Sequence, residues 1–252
     1  MAGHSKWANI KHKKKAEDKK RGKLFSKLIR GITSAARQGD PDPETNPKLR
    51  LAVDKALANN MQKDTIERAI KRAAGDEEAA NLEEVRYEGY GPHGVAVMVE
   101  CMTDNRNRTV GDIRHAFSKA GGKLGTDGSV AFMFTRQGHI IVATESDEET
   151  VLEAALEAGA DDLQDNGDGT FLIITDPEVV TDVKKTLENQ QWFIQSVEVT
   201  MHPTITTPID DQEKAQQVLN LFDRLDDLDD VQEVYSNVDI ADEVWQQIEQ
   251  ND

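Results

Sequence analysis

The stretch HIIVATESDEETVLEAALEAGADDLQDNGDGTFLIITDPEVVTDVKKTLENQQWFIQSVEVTMH, residues 139–202, decides the fold. It opens on an apolar strand, His139 to Ala143. Ser146 and Glu149 then form a capping box ahead of a helix from Val151 to Ala158, which Gly159 ends. Two short strands flank the turn residues Asn166-Gly167, and Phe171 to Ile174 form the apolar one. Asp176-Pro177 opens a second helix running to about Gln190. In the closing strand Val197, Val199 and Met201 alternate with Ser196, Glu198 and Thr200. The order βαββαβ is that of a ferredoxin-like split βαβ domain, expected at 137–203.

On the N-terminal side, Val85–Tyr90 and Val95–Met102 read as strands around Gly91-Pro92-His93-Gly94. A helix follows over Thr109–Ala120, then the glycine-rich run Gly121–Ser129 and a strand Val130–Thr135. On the C-terminal side come a polar connection with Pro203 and Pro208, an acidic helix Asp211–Leu225, a strand Val231–Tyr235 and a helix Ala241–Glu249. One strand and one short helix cannot bury a core alone. Residues 204–252 are therefore expected to complete an α/β middle domain with 85–136, into which the ferredoxin-like domain is inserted. Residues 23–75 read as a three-helix domain. Leu24, Phe25, Leu28, Ile29 and Ile32 line its first helix. Asn46-Pro47 starts the second, whose core face is Leu49, Val53, Ala56 and Leu57. The third runs from Lys63 to Ala74, with Ile66, Ile70 and Ala73 inward. The fold class is thus α+β, in three domains, with a flexible basic tail at 1–22 and an acidic hinge-like linker at 76–84.

Charge is segregated along the same boundaries. Residues 1–72 carry 19 Lys+Arg against 8 Asp+Glu, a net of +11, whereas the remaining 180 carry 11 against 39, a net of −28. A basic module on an otherwise acidic chain points to a polyanionic partner. A lone cysteine, Cys101, excludes an internal disulfide and any multi-cysteine metal site, and fits a reducing compartment. No apolar run reaches the roughly 18–20 residues of a membrane span, and the N-terminus lacks the apolar stretch of a secretory signal. A cytoplasmic monomer without membrane contact is expected.

The N-terminal tail holds the sharpest candidate site. Lys6, Lys11, Lys13, Lys14, Lys15, Lys19, Lys20 and Arg21 supply point charges for phosphates, and Trp7 supplies a ring that can stack on an exposed base. Lys23, Lys27, Arg30, Ser34 and Arg37 carry the stripe onto the first helix at helical spacing. The bland alternatives are a solvated tail, or a strip that docks on the acidic part of the same chain. A base-reading helix-turn-helix is disfavoured, because the first turn of the third helix carries Asp64 and Glu67 while Arg68, Lys71 and Arg72 lie at its far end. Backbone and shape recognition by tail and first helix is the preferred reading.

Elsewhere the signals are weaker. Gly89 to Gly94 fits G-x-G-x-x-G, but a strand follows instead of a helix, so it reads as a hairpin turn and not a dinucleotide site. Gly121–Ser129 is either a flexible contact loop bearing Lys123 or a helix stop with a turn. Arg106 and Arg108 offer planar forks for phosphate, or close intramolecular salt bridges. Cys101 reads as packing, and the six histidines and the acidic run Asp223–Asp230 have no metal-ligand spacing. No cofactor, metal or catalytic constellation is expected, and the chain does not read as an enzyme.

Several long motifs carry a family resemblance. Ala2-Gly3-His4-Ser5-Lys6-Trp7-Ala8-Asn9-Ile10-Lys11, Tyr87 to Pro92, Asp104 to Thr109, Gly121 to Phe134 and Asp230 to Tyr235 resemble, in fixed order, the YebC/PmpR family. Gln62 departs from the proline common there. The resemblance implies a helical first domain, an α/β middle domain and a ferredoxin-like insertion. It implies transcriptional regulation through DNA. It also implies an alternative: ribosome- or ribosomal-RNA-associated translation control at proline-rich stalls, as in the similar mitochondrial translational activator of cytochrome oxidase subunit I.

Overall fold

The computed structural model describes residues 18–75 and 82–251 of the 252-residue chain. Three helices come first: α1 (Asp18–Gln38), α2 (Pro47–Ala58) and α3 (Lys63–Gly75). Next are β1 (Glu83–Tyr90), β2 (Ala96–Thr103), α4 (Arg106–Lys119), β3 (Lys123–Leu124) and β4 (Phe134–Ala143). Then follow α5 (Glu148–Glu157), β5 (Asp162–Asp165), β6 (Thr170–Thr175), α6 (Val180–Asn189) and β7 (Phe193–Pro203). The chain closes with β8 (Thr207–Ile209), α7 (Gln212–Asp226), β9 (Val231–Ser236), β10 (Val238–Ile240) and α8 (Asp242–Asn251).

Two compact units result. The first gathers the described residues of Met1–Lys27, Ala80–Thr135 and His202–Asp252. Its sheet has the order β3-β1-β2-β9, so the late strand β9 pairs with β2 and completes a sheet begun more than a hundred residues earlier. β2 is buried almost throughout, and its Val97, Val99 and Cys101 pack with Ile113 and Phe117 of α4. Leu221, Phe222 and Leu225 of α7 and Trp245 of α8 complete that core. The β1–β2 connection turns through Pro92–Gly94, with His93 and Gly94 at φ 60° and 77°. A parallel pair, β8 with β10, has no counterpart in the sequence reading. It forms because Asn237 bridges the segments: its Oδ1 accepts from Ala96 N–H at 2.8 Å and its Nδ2 donates to the Ile205 carbonyl at 3.0 Å.

The second unit gathers the described residues of Leu28–Ala79 and Arg136–Met201. Its sheet order, β5-β6-β4-β7, is the ferredoxin-like one. Ile140, Val142, Val151, Ala155, Phe171, Ile173, Val183, Leu187 and Val197 form the core. Gly159 and Gly167 take φ 97° and 73°, where side chains are strained, so glycine ends α5 and turns the β5–β6 loop. Asn46 caps α2 as expected, accepting from Leu49 N–H at 3.1 Å, and its amide nitrogen also donates to the carbonyls of Ala35 and Asp40.

Several expectations need correction. Val130–Thr135 is not a separate strand: Ala131–Met133 is a 3₁₀ turn, and Phe134 begins one strand that runs to Ala143. Asp147, not Ser146, caps α5, because its carboxylate reaches Thr150 N–H at 3.0 Å. Leu57 is exposed and Ser34 is buried, the reverse of their assigned faces. α1 already holds Asp18–Gly22, ahead of the expected Lys23. Glu83 and Glu84 belong to β1, while 76–81 of the expected linker lie outside the described residues.

Candidate nucleic-acid interface

Lys6, Trp7, Lys11, Lys13, Lys14 and Lys15 lie outside the described residues. Lys19, Lys20 and Arg21 fall on the α1 backbone, but their side chains are outside the description. Lys23 and Lys27, one turn apart on α1, meet the C-terminal end of α7. Lys23 Nζ donates to the Asp227 carbonyl at 2.9 Å and to its Oδ1 at 3.1 Å. Lys27 Nζ donates to the Asp226 carbonyl at 2.7 Å, with the Asp226 carboxylate at 3.8 Å. A helix C-terminus leaves carbonyls without intrahelical partners and carries partial negative charge, so ammonium groups settle there. The alternative of docking on the chain's own acidic part is thus realised by these two lysines. Further along α1, Arg30 and Arg37 are half-buried and engaged in interactions of their own.

Arg106 and Arg108, in the first turn of α4, also pair with carboxylates of the chain. Arg108 donates to Asp104 and to Asp230, both at 2.8 Å. Asp230, a buried residue, accepts further hydrogen bonds from Thr109 Oγ1 at 2.8 Å and Thr103 Oγ1 at 3.3 Å. Burial alone would raise the Asp230 pKa, but the guanidinium and the two hydroxyls outweigh it and hold the carboxyl below its usual range. The same bonds push the Arg108 guanidinium up. Arg106 lies 3.7 Å from Glu83. Lys123 is exposed on the short strand β3.

Sequence reasoning missed the residue that organises the glycine-rich loop. Glu88 is 5% exposed on β1. Its carboxylate accepts backbone N–H bonds from Gly128 at 3.0 Å, Val130 at 2.8 Å and Ala131 at 2.9 Å. Burial opposes ionisation, yet the three donors win and lower its pKa. The loop is therefore pinned to the sheet. Gly89 and Gly122 are glycine because a Cβ at either would stand 2.6 Å from a backbone oxygen, of Lys123 and Tyr90 respectively. The pinned loop leads directly into Phe132, which is 68% exposed.

Other groups behave as packing. Burial is the main cause that pushes the Cys101 thiol up to about 12, which leaves no thiolate for nucleophilic chemistry. Asp64 and Glu67 are exposed at the start of α3, so that turn presents carboxylates where a base-reading helix presents donors. Among the described residues no group of three or more His, Cys, Asp or Glu could hold a metal ion. No described helix is long and apolar enough to cross a membrane.

Two family models cover most of the chain: the TACO1/YebC protein N-terminal domain matches residues 5–76, and the TACO1/YebC second and third domain matches 82–238. The chain belongs to the TACO1/YebC family. Within it, a probable transcriptional regulatory protein of Francisella tularensis subsp. tularensis (strain SCHU S4) is 57% identical over 248 residues, which are 98% of this chain and 100% of the relative. A probable transcriptional regulatory protein of Francisella philomiragia is likewise 57% identical over 98% of this chain and all of that one. The crystal structure of a conserved hypothetical protein from Aquifex aeolicus matches with TM-score 0.79 and 49% identity, covering 89% of this chain and 93% of that one. These similarities place the chain among regulator-family proteins of mixed helix and sheet.

Proposed function

We propose that this protein is a nucleic-acid-binding regulator of gene expression, acting through DNA, with the N-terminal basic segment and α1 contacting phosphates. The observation that carries the reading is the charge segregation: +11 over residues 1–72 against −28 over the rest. A field so divided attracts a polyanion to one end and repels it from the other. Relatives over 98% of the chain are named probable transcriptional regulatory proteins, which supports the DNA reading. Recognition rests on the backbone and shape of the nucleic acid, since the exposed first turn of α3 is acidic. Catalysis has no part in this reading.

A specific observation favours a second reading, translation control on ribosomal RNA. The basic segment pairs lysines with a single aromatic, Trp7, and folded RNA offers unstacked bases for such a ring, whereas duplex DNA does not. Sequencing nucleic acid crosslinked to the protein in cells separates the two. Promoter DNA without ribosomal RNA supports the transcriptional reading, and the converse overturns it. Recovery of neither overturns both.

A further inference from the structure

The C-terminal end of α7 offers Lys23 and Lys27 what a nucleic-acid backbone would offer them. Two carbonyl oxygens and two carboxylates, from Asp226 and Asp227, stand toward two ammonium groups spaced one helical turn apart. The arrangement is bivalent and acidic, as two successive phosphates are. It is also only partly shielded. The outer pair is open, with the Lys23 side chain 43% exposed and that of Asp227 70%, whereas Lys27 and Asp226 beneath it are 13% and 29% exposed, and the ammonium groups have no bidentate fork. The Lys23–Asp227 pair exchanges readily, because water and an incoming anion both reach it, and its opening is the first step toward Lys27. The neighbouring carboxylate Asp230 is instead held in a network with Arg108 and two threonines.

We infer that the α7 C-terminus is an internal phosphate mimic that competes with nucleic acid for Lys23 and Lys27. The inference rests on the nucleic-acid reading above and adds a regulatory element to it. Binding displaces Asp226 and Asp227, and the two lysines trade an intramolecular partner for phosphates. The mimic sets a threshold: a weakly held or isolated phosphate does not displace it, whereas a run of phosphates already gripped by the N-terminal segment does. The free energy of breaking the two contacts is subtracted from every binding event and so lowers non-specific affinity.

The test uses the full-length protein with two probes, a 20-base-pair DNA duplex and a 20-nucleotide RNA hairpin. Neutralising the two carboxylates of the mimic by D226N/D227N, with the two carbonyls kept, is expected to tighten binding about threefold to tenfold, the worth of two ion pairs. A control of equal charge change at the other end of the same helix, D210N/E213Q, is expected to tighten binding less than twofold. In the K23Q/K27Q background, D226N/D227N is expected to bring no gain beyond that control, since nothing is left to unmask. Equal gains from D226N/D227N and the control would overturn the inference and leave only long-range repulsion. A gain that persists without the lysines would also overturn it. Thermal unfolding of each variant identifies any that misfolds, and single variants D226N and D227N then replace the pair. Binding that ignores Asp226 and Asp227 sinks the mimic alone. Absence of binding by every variant sinks the nucleic-acid reading and the mimic together.

Discussion

Lys23 and Lys27 on one hand, and Arg108 on the other, are all held by aspartates of one short stretch, 226–230, yet they are held differently. The lysines rest on carbonyls at the end of a helix, beside carboxylates that are 70% exposed at Asp227 and 29% at Asp226. Arg108 closes on Asp230, whose side chain is only 11% exposed and which also accepts from two threonine hydroxyls. The difference teaches that a cation's sequence position says little about its availability. What decides is whether its partner has other bonds to lose. An exposed carboxylate gives up an ammonium at little cost, while a buried one left without its guanidinium keeps an unpaired charge.

The largest expected effect sharpens the exchangeable side of this comparison. Changing Lys11, Lys13, Lys14 and Lys15 together to Glu is expected to weaken nucleic-acid binding by at least about a thousandfold, roughly 4 kcal/mol, without changing the circular dichroism spectrum. With about five phosphates neutralised, the wild-type log–log salt slope should lie near −3.5 to −4.5. Binding that survives the charge reversal would move the interface off the N-terminal segment.

A second prediction concerns the locked side, of which Glu88 is the extreme case. E88A strips three backbone N–H groups of their acceptor and is expected to cost about 3 kcal/mol, read from the urea midpoint. The sign of its pH dependence follows from the lowered pKa. At a pH between the folded and unfolded values the unfolded chain binds more protons, so stability rises with pH through that window. The contribution is complete above the ordinary glutamate value of 4.5 and disappears as pH falls through the lower folded value. E88A should therefore show a flatter acid limb than wild type. An identical limb would mean that the carboxylate is not the group pinning the loop.

R108A is next, at about 2 kcal/mol, because it takes the guanidinium away from the buried Asp230 carboxylate. Its nucleic-acid affinity should change less than twofold. A large loss of affinity with little loss of stability would show that Arg108 leaves Asp230 to meet phosphate and is as exchangeable as Lys23.

Much of this architecture was legible where the signal is local. The ferredoxin-like order was readable because each element carries its own period, and Gly159 and Gly167 stand where the chain needs positive φ. Local ambiguity explains the nearest misses. Ser146 and Asp147 can both cap a helix, and only the reach to Thr150 N–H decides for Asp147. Val130–Thr135 has strand composition, but Ala131 N–H and Val130 N–H are taken by Glu88, which bends the segment into a turn before Phe134. Glu88 itself was invisible for the opposite reason. Its three donors lie some forty residues away, and a single Glu in an alternating strand reads as solvent-facing. The basic stripe of α1 was legible as a stripe. That Ser34 within it is buried, and that Lys23 and Lys27 find aspartates two hundred residues later, depends on tertiary packing that no spacing encodes.

The smallest expected effect tests a cation intermediate between the two cases. Lys184 of α6 donates to Asp54 of α2 at 2.8 Å and lies 3.6 Å from Glu188, with side-chain exposures of 17%, 19% and 51%. The contact joins α2 to α6 of the ferredoxin-like domain within one compact unit. Removing the two ends should not be equivalent. D54N leaves Lys184 with Glu188 and an amide acceptor, and should cost about 0.5 kcal/mol. K184M leaves two carboxylates facing each other across a half-buried gap, and should cost about 1 kcal/mol, part of which 1 M salt recovers by screening. Urea midpoints at low and high salt measure both. If D54N costs as much as E88A, Lys184 belongs with Arg108 among the locked cations, because burial of its partner, and not the count of its own bonds, then sets the strength of the pair.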